Sequence, residues 1–148
     1  MVPLEVLRKS EMFEGLTDEE LIAIARMGRE ETYEAGACIV VENETAKSLY
    51  VVREGRIAIL IDIGRGRQTV VDMVVKGGSF SWSAMVPPHR LTGTAKAVEQ
   101  SKVIAIPSEE LRELCKNNCS MCYTIMEKLA TIISVRLKDT RLQLVSLM

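Results

Sequence analysis

Three cysteines lie close together near the C-terminal end, Cys115, Cys119 and Cys122, in the spacing C-x3-C-x2-C. Three thiolates so placed could hold an iron–sulfur cluster with one iron left open. Their surroundings favour another role. Cys122 falls on the inward stripe of a helical stretch and Cys115 follows Leu114 on the helix before it, as buried structural cysteines do. A thiol redox sensor is the residual alternative. His89 is the only histidine, and no carboxylate clusters with it in the sequence, so neither a triad nor a histidine metal site can be built. No Gly-x-Ser-x-Gly elbow and no Walker-type phosphate loop occurs. With no catalytic constellation, an enzyme is not expected.

The segment from Gly77 to Ala97 carries the remaining chemistry. Glycines, small residues and a short helical turn from about Trp82 to Val86 stand between two strand candidates. A helix start aims backbone N–H groups outward, which suits an anion. Ser81, Ser83, Thr92 and Thr94 add hydroxyls, and Arg90 is the only cation between Lys76 and Lys96. Such a loop could cradle a phosphate.

The elements that must position this loop are read from periodicity. Leu4, Val6 and Leu7 give one apolar helical turn. Thr17 to Glu20 is a capping box opening a helix whose apolar face is Leu21, Ile22 and Ala25, with Gly28 as its stop. From about Thr32 short β-rich runs alternate with turn residues: Cys38–Val41, Ser48–Val52, Arg56–Ile63, Gln68–Val75, Leu91–Ala97 and Ser101–Ile106. Gly64-Arg65-Gly66 reads as a hairpin turn. After Pro107 the helical period returns. Ser108 can cap a helix running to about Asn117, and a longer helix starts near Ser120.

That last helix has two apolar stripes. Cys122, Ile125, Leu129 and Ile132 suit packing on the β-domain. Tyr123, Met126, Ala130, Ile133, Leu137, Thr140, Leu144 and Leu147 alternate spacings of 3 and 4, the seam of a coiled coil. Two stripes imply two partners, the chain's own β-domain and a second copy, so a homodimer is expected.

The 148 residues allow one domain and hardly a second. A hydrophobic content of 47% excludes disorder. Lys+Arg 19 against Asp+Glu 20 leaves no strong basic field to hold nucleic acid non-specifically. No signal-peptide pattern opens the chain and no apolar run is long enough to span a membrane, so a cytoplasmic protein is expected.

Several blocks carry a family resemblance. Phe13-x-Gly15-Leu16-Thr17-x-Glu19-Glu20-Leu21 resembles the opening helices of the cyclic-nucleotide-binding domain superfamily, the sensor fold of catabolite activator proteins. Ala35-Gly36 to Glu42-Asn43-Glu44 is similar to its first hairpin, and Leu49 to Gly55 to its next strand block. The resemblance continues through Ala95-Lys96-Ala97 and Val103 to Ile106 and covers about Leu4 to Leu142. It implies an α+β fold: an antiparallel β-jelly-roll or barrel flanked by N-terminal helices and two C-terminal helices, the last long and dimerising. One domain over 1–148 is expected, with N-terminal helices in 4–34, the β-roll in 35–107 and the C-terminal helices in 108–148. No DNA-binding domain is expected, because the chain stops at Met148.

By this resemblance the Gly77–Ala97 segment is the phosphate-binding cassette. Its usual pattern is Gly-Glu-x-Ala-Leu, a loop, then Pro-Arg-Ala/Ser-Ala-Thr, in which the Glu holds the ribose 2′-hydroxyl and the Arg the cyclic phosphate. Aligning Ala84-Met85 and Thr94-Ala95-Lys96-Ala97 with it puts Trp82 at the Glu position and Leu91 at the Arg position, with Ser81 where a Gly is usual. Both polar anchors are replaced. Arg90 is one residue away, but neighbours on a strand face opposite sides. The run Ser81 to Pro88 resembles a prokaryotic subgroup with Gly-Trp-Ser-Ala-Leu-Val here. The expected ligand contacts are Phe80, Ser81, Trp82, Ser83, Ala84, Met85, Arg90, Leu91, Thr92, Gly93 and Thr94, with Thr140 reaching a nucleotide base from the dimer helix. The function implied is a stand-alone sensor that binds cyclic AMP weakly, or takes cyclic GMP or another small anionic ligand. The alternatives are a ligand-free dimeric interaction module and the thiol or iron–sulfur sensor.

Overall fold

The computed structural model describes residues 1–148. Two helices come first, α1 (Leu4–Arg8) and α2 (Asp18–Met27). The capping box forms as the sequence predicts: the Thr17 hydroxyl accepts from the Glu20 N–H, and Glu20 Oε1 accepts from the Thr17 N–H at 2.9 Å. Eight strands follow: β1 (Arg29–Tyr33), β2 (Cys38–Val40), β3 (Ser48–Glu54), β4 (Ile57–Gly64), β5 (Arg67–Val74), β6 (Ser79–Phe80), β7 (Thr94–Ala97) and β8 (Ser101–Pro107). The chain ends in α3 (Ser108–Asn117) and α4 (Cys119–Ser146).

The strands form two antiparallel four-stranded sheets, in the orders β1-β8-β3-β6 and β2-β7-β4-β5. Packed together they make the expected jelly-roll core. The expected helical region 4–34 is too long at its end: Arg29–Tyr33 is strand β1, in register with Ser101–Ala105 of β8. Its sequence Arg-Glu-Glu-Thr-Tyr has no apolar run to announce a strand, and it is an edge strand whose conformation comes from pairing with β8. The expected strand Leu91–Ala97 is also shortened, to Thr94–Ala97, with only an isolated bridge between Thr45 and Arg90 before it.

Strands β3 and β8 are apolar at successive positions because both of their faces are covered. Leu49, Val51, Ile104 and Ile106 turn to one side, where they pack with Phe13, Leu21 and Ile24 beneath the helices. Tyr50, Val52, Val103 and Ala105 turn to the other, where they pack between the sheets with Ile57, Val74 and Phe80. The β4–β5 hairpin closes through Arg65 and Gly66, both with positive φ, 58° and 71°, as a type I′ turn requires.

Helix α4 divides lengthwise. Ile125, Leu129 and Ile132 are buried as the inward stripe predicts, joined by Met121, while Cys122 is only half-buried. The seam residues Tyr123, Met126, Ala130, Ile133, Leu137, Leu144 and Leu147 all lie exposed, Leu137 at 47% and Leu144 at 62%. Nothing within the chain covers that second stripe. Ser108 does not cap α3: its hydroxyl donates to the Ala46 carbonyl instead, and α3 has no side-chain cap. Asn118 does cap α4, accepting from the Met121 N–H at 3.0 Å. No helix is long and apolar enough to cross a membrane.

Candidate ligand site

A cavity of about 500 Å³ opens between the second sheet, the Gly77–Ala97 loop and α4. Its apolar wall comes from the second sheet: Val40 of β2, Ile59 and Ile61 of β4, Val71 and Val74 of β5, and Ala95 of β7. The loop contributes Phe80, Ser81, Trp82, Ser83, Val86, Leu91, Thr92 and Gly93. Helix α4 contributes Ile133, Arg136, Asp139, Thr140 and Gln143.

The loop is held from beneath. Phe80 stacks on Tyr50, ring centroids 4.8 Å apart and planes within 5°. Ser81 takes a left-handed conformation, φ 66°, and its hydroxyl donates to the Ser48 carbonyl at 2.7 Å. The Trp82 indole N–H donates to Ser79 Oγ at 3.2 Å, and the Ser79 N–H donates to Glu11 Oε1 at 3.0 Å. This relay leaves the apolar ring of Trp82 facing the cavity. The carbonyl of Ala84 is held by the Arg112 guanidinium of α3 at 2.7 Å, and His89 Nδ1 meets the Ser83 carbonyl at 2.8 Å, so Nδ1 carries the proton there. At Gly93 a Cβ would meet Ile59 Cγ2 at 3.0 Å and the Leu60 carbonyl at 3.2 Å, so the loop's second limb runs close against β4 only because this residue is glycine.

The structure gathers most of the expected contacts and separates the rest. Phe80, Ser81, Trp82, Ser83, Leu91, Thr92, Gly93 and Thr140 line the cavity. Ala84 and Met85 point into the core under the helices and do not line it. Thr94 is buried with its hydroxyl accepting from the Glu42 N–H at 2.9 Å. Arg90 is exposed and outside the cavity, its guanidinium donating to the Asn43 carbonyl at 3.3 Å. Leu91 faces inward, as strand alternation predicts for the pair. The expected turn Trp82–Val86 is a single 3-10 turn, Trp82–Ala84, too short to serve as a helix start for an anion.

The cation that sequence spacing misses is Arg136. It reaches across from α4 and donates to Asp72 Oδ1 of β5 at 2.8 Å, both side chains less than one third exposed. Nothing local marks this pair, since 64 residues separate its members. Asp139 and Gln143, one and two turns further along α4, complete the polar side.

The three cysteines are not brought into one cluster. Cys115 is buried, Cys119 exposed and Cys122 intermediate. No group of three or more His, Cys, Asp or Glu side chains is placed to hold a metal ion. Burial, with the neighbouring Cys122 thiol adding to it, pushes the Cys115 thiol up to about 12, opposite to the lowering a reactive thiolate needs.

Residues 30–118 match the cyclic nucleotide-binding domain family. The chain belongs to that family. Its fold agrees with a solved structure of a proposed cyclic nucleotide-binding protein of Geobacter metallireducens, 31% identical, with a TM-score of 0.83 over 93% of this chain and 99% of that one. The regulatory domain of Toxoplasma gondii PKA, solved with cyclic AMP, shares the fold at 22% identity and a TM-score of 0.68, over 74% of this chain and 42% of that one. In sequence the chain is 21% identical over 138 residues to the cyclic AMP receptor protein of Thermus thermophilus. That alignment covers 93% of this chain but 62% of the receptor, so the chain spans less than two thirds of that relative. Trp82 and Leu91, which the sequence resemblance sets against the cassette's two polar anchors, both line the cavity.

Proposed function

We propose that this protein is an effector-binding regulatory module of the cyclic nucleotide-binding domain family, working as a homodimer through α4. The observation that carries this is the cavity itself: the cassette loop forms one wall and the long helix another, so an occupant touches both at once. A ligand that binds one arrangement of loop and helix better than another shifts the population toward it, and α4 carries the change outward. Thr140 lines the cavity on the same helix whose seam stands exposed, so ligand contact and pairing share one element.

Cyclic AMP is a weak ligand on this reading. Its phosphate would meet Leu91 in place of a guanidinium and its ribose the ring of Trp82 in place of a carboxylate, and a lost charged partner costs several kcal/mol. Cyclic GMP shares the same phosphate and the same handicap.

The test is native mass spectrometry of gently purified protein, with Trp82 fluorescence as a second readout, since Trp82 is the only tryptophan and lines the cavity. The expected result is a dimer mass carrying a small-molecule adduct that Thr92→Trp, which fills the cavity, removes. A protein that retains nothing, and whose Trp82 emission is indifferent to every nucleotide and nucleoside offered, would be the ligand-free interaction module instead.

A further inference from the structure

The charges around the cavity define the kind of molecule it accepts. Two carboxylates, Asp72 and Asp139, stand against one guanidinium, Arg136, so the wall carries one net negative charge. Arg136 is already engaged by Asp72 at 2.8 Å, while Asp139 takes part in no ion pair. No second cation compensates: Arg90 is held outside by the Asn43 carbonyl. The Trp82 N–H and the Ser81 hydroxyl, two donors that could have met an anion, are spent on Ser79 and on the Ser48 carbonyl. A phosphate placed here would lose its water and gain no free cation, which is unfavourable in a partly enclosed, largely apolar space.

We propose that the cavity selects a ligand without negative charge: an apolar or aromatic ring system seated against Trp82, carrying a protonated nitrogen or N–H donors that turn to the Asp72 and Asp139 carboxylates. The inference rests on the cavity being a ligand site, and it replaces the anion of the family's usual ligand by its opposite in charge. Asp72 and Asp139 are its specificity-determining residues. An amine would also compete with Arg136 for Asp72, and so would act directly on the contact between β5 and α4.

A matched series tests this, keeping base and sugar constant while the charge at the 5′ end changes. Trp82 fluorescence is titrated with cyclic AMP, adenosine and 5′-amino-5′-deoxyadenosine at pH 7. The expected order of affinity is amine, then adenosine, then cyclic AMP, with about a tenfold spread for each unit of charge. Asp139→Asn, which leaves the Asp72–Arg136 pair intact, should narrow the spread. Asp72→Asn with Asp139→Asn leaves Arg136 unopposed and should make cyclic AMP the best of the three, with circular dichroism verifying the fold of each variant. Tightest binding of cyclic AMP by the unaltered protein, or an order that the double variant leaves untouched, overturns the charge selection while the ligand site stands. If none of the three perturbs Trp82 at millimolar concentration, the ligand-site reading falls and the selection falls with it.

Discussion

At the scale of single residues, what distinguishes this chain is which side chains are already occupied. Trp82, Ser81 and Thr94 look in the sequence like free contributors to a binding loop, yet each is tied into the protein: to Ser79, to the Ser48 carbonyl and to the Glu42 N–H. Cys115 is likewise committed to the core. Burial raises its thiol from 9.0 to about 12, so the folded state holds the proton that the unfolded chain releases. The stabilising contribution is therefore whole below about pH 9 and is lost as pH rises toward 12. Denaturant melts taken through that window should show an alkaline decline that Cys115→Ala lessens. At pH 8, alkylation with an uncharged maleimide should label Cys38 and Cys119 rapidly and Cys115 only on unfolding. Rapid labelling of Cys115 in the native protein would revive the thiol-sensor alternative.

At the scale of elements, the contact that matters for coupling is between β5 and α4. Past Ile132 the helix leaves the core, and beyond that point Arg136–Asp72 is the ion pair that ties it to the sheets. Both side chains remain partly exposed, 28% and 29%, so the pair is worth about 1 kcal/mol in stability. A double-mutant cycle with Asp72→Ala and Arg136→Ala should give a coupling energy of that size. Its larger effect should be on motion: hydrogen exchange in Ile133–Ser146 should rise in either single variant while that of Met121–Ile132, held by buried side chains, stays unchanged. Unaltered exchange past Ile133 would mean that the pair does not restrain the helix.

At the scale of the whole molecule, the apolar seam of α4 is a surface without a partner in the chain. Tyr123, Ile133, Leu137, Leu144 and Leu147 lie along one exposed face, and their heptad spacing suits the same face of a second copy. Leu137→Lys with Leu144→Lys puts like charges at the centre of such a seam. Sedimentation equilibrium should report a dimer for the unaltered protein and a monomer for this variant, with circular dichroism unchanged, because neither leucine belongs to the monomer's core. A monomer before substitution would remove the dimer from the proposed function.

What the sequence determined by itself is the part set by local rules. The capping box of α2, the hairpin turn at Gly64-Arg65-Gly66, the inward stripe of α4 and the opposite facing of Arg90 and Leu91 all follow from spacing over a few residues. So did the loop that borders the cavity, because its glycines and small residues set it apart from the strands on either side. What only the tertiary structure decided lies where distant segments meet. The strand Arg29–Tyr33 exists because β8 pairs with it. The burial of Cys115 and the exposure of Cys119 follow from how α3 and α4 join and pack. The charge of the cavity depends on Asp72, Arg136 and Asp139, which stand beside the loop only after the sheets have closed and α4 has been laid across them. The physical reason is range: hydrogen-bond caps, turns and apolar periodicity act between neighbours in the chain, whereas an electrostatic environment is summed over whatever the fold brings near, regardless of sequence distance.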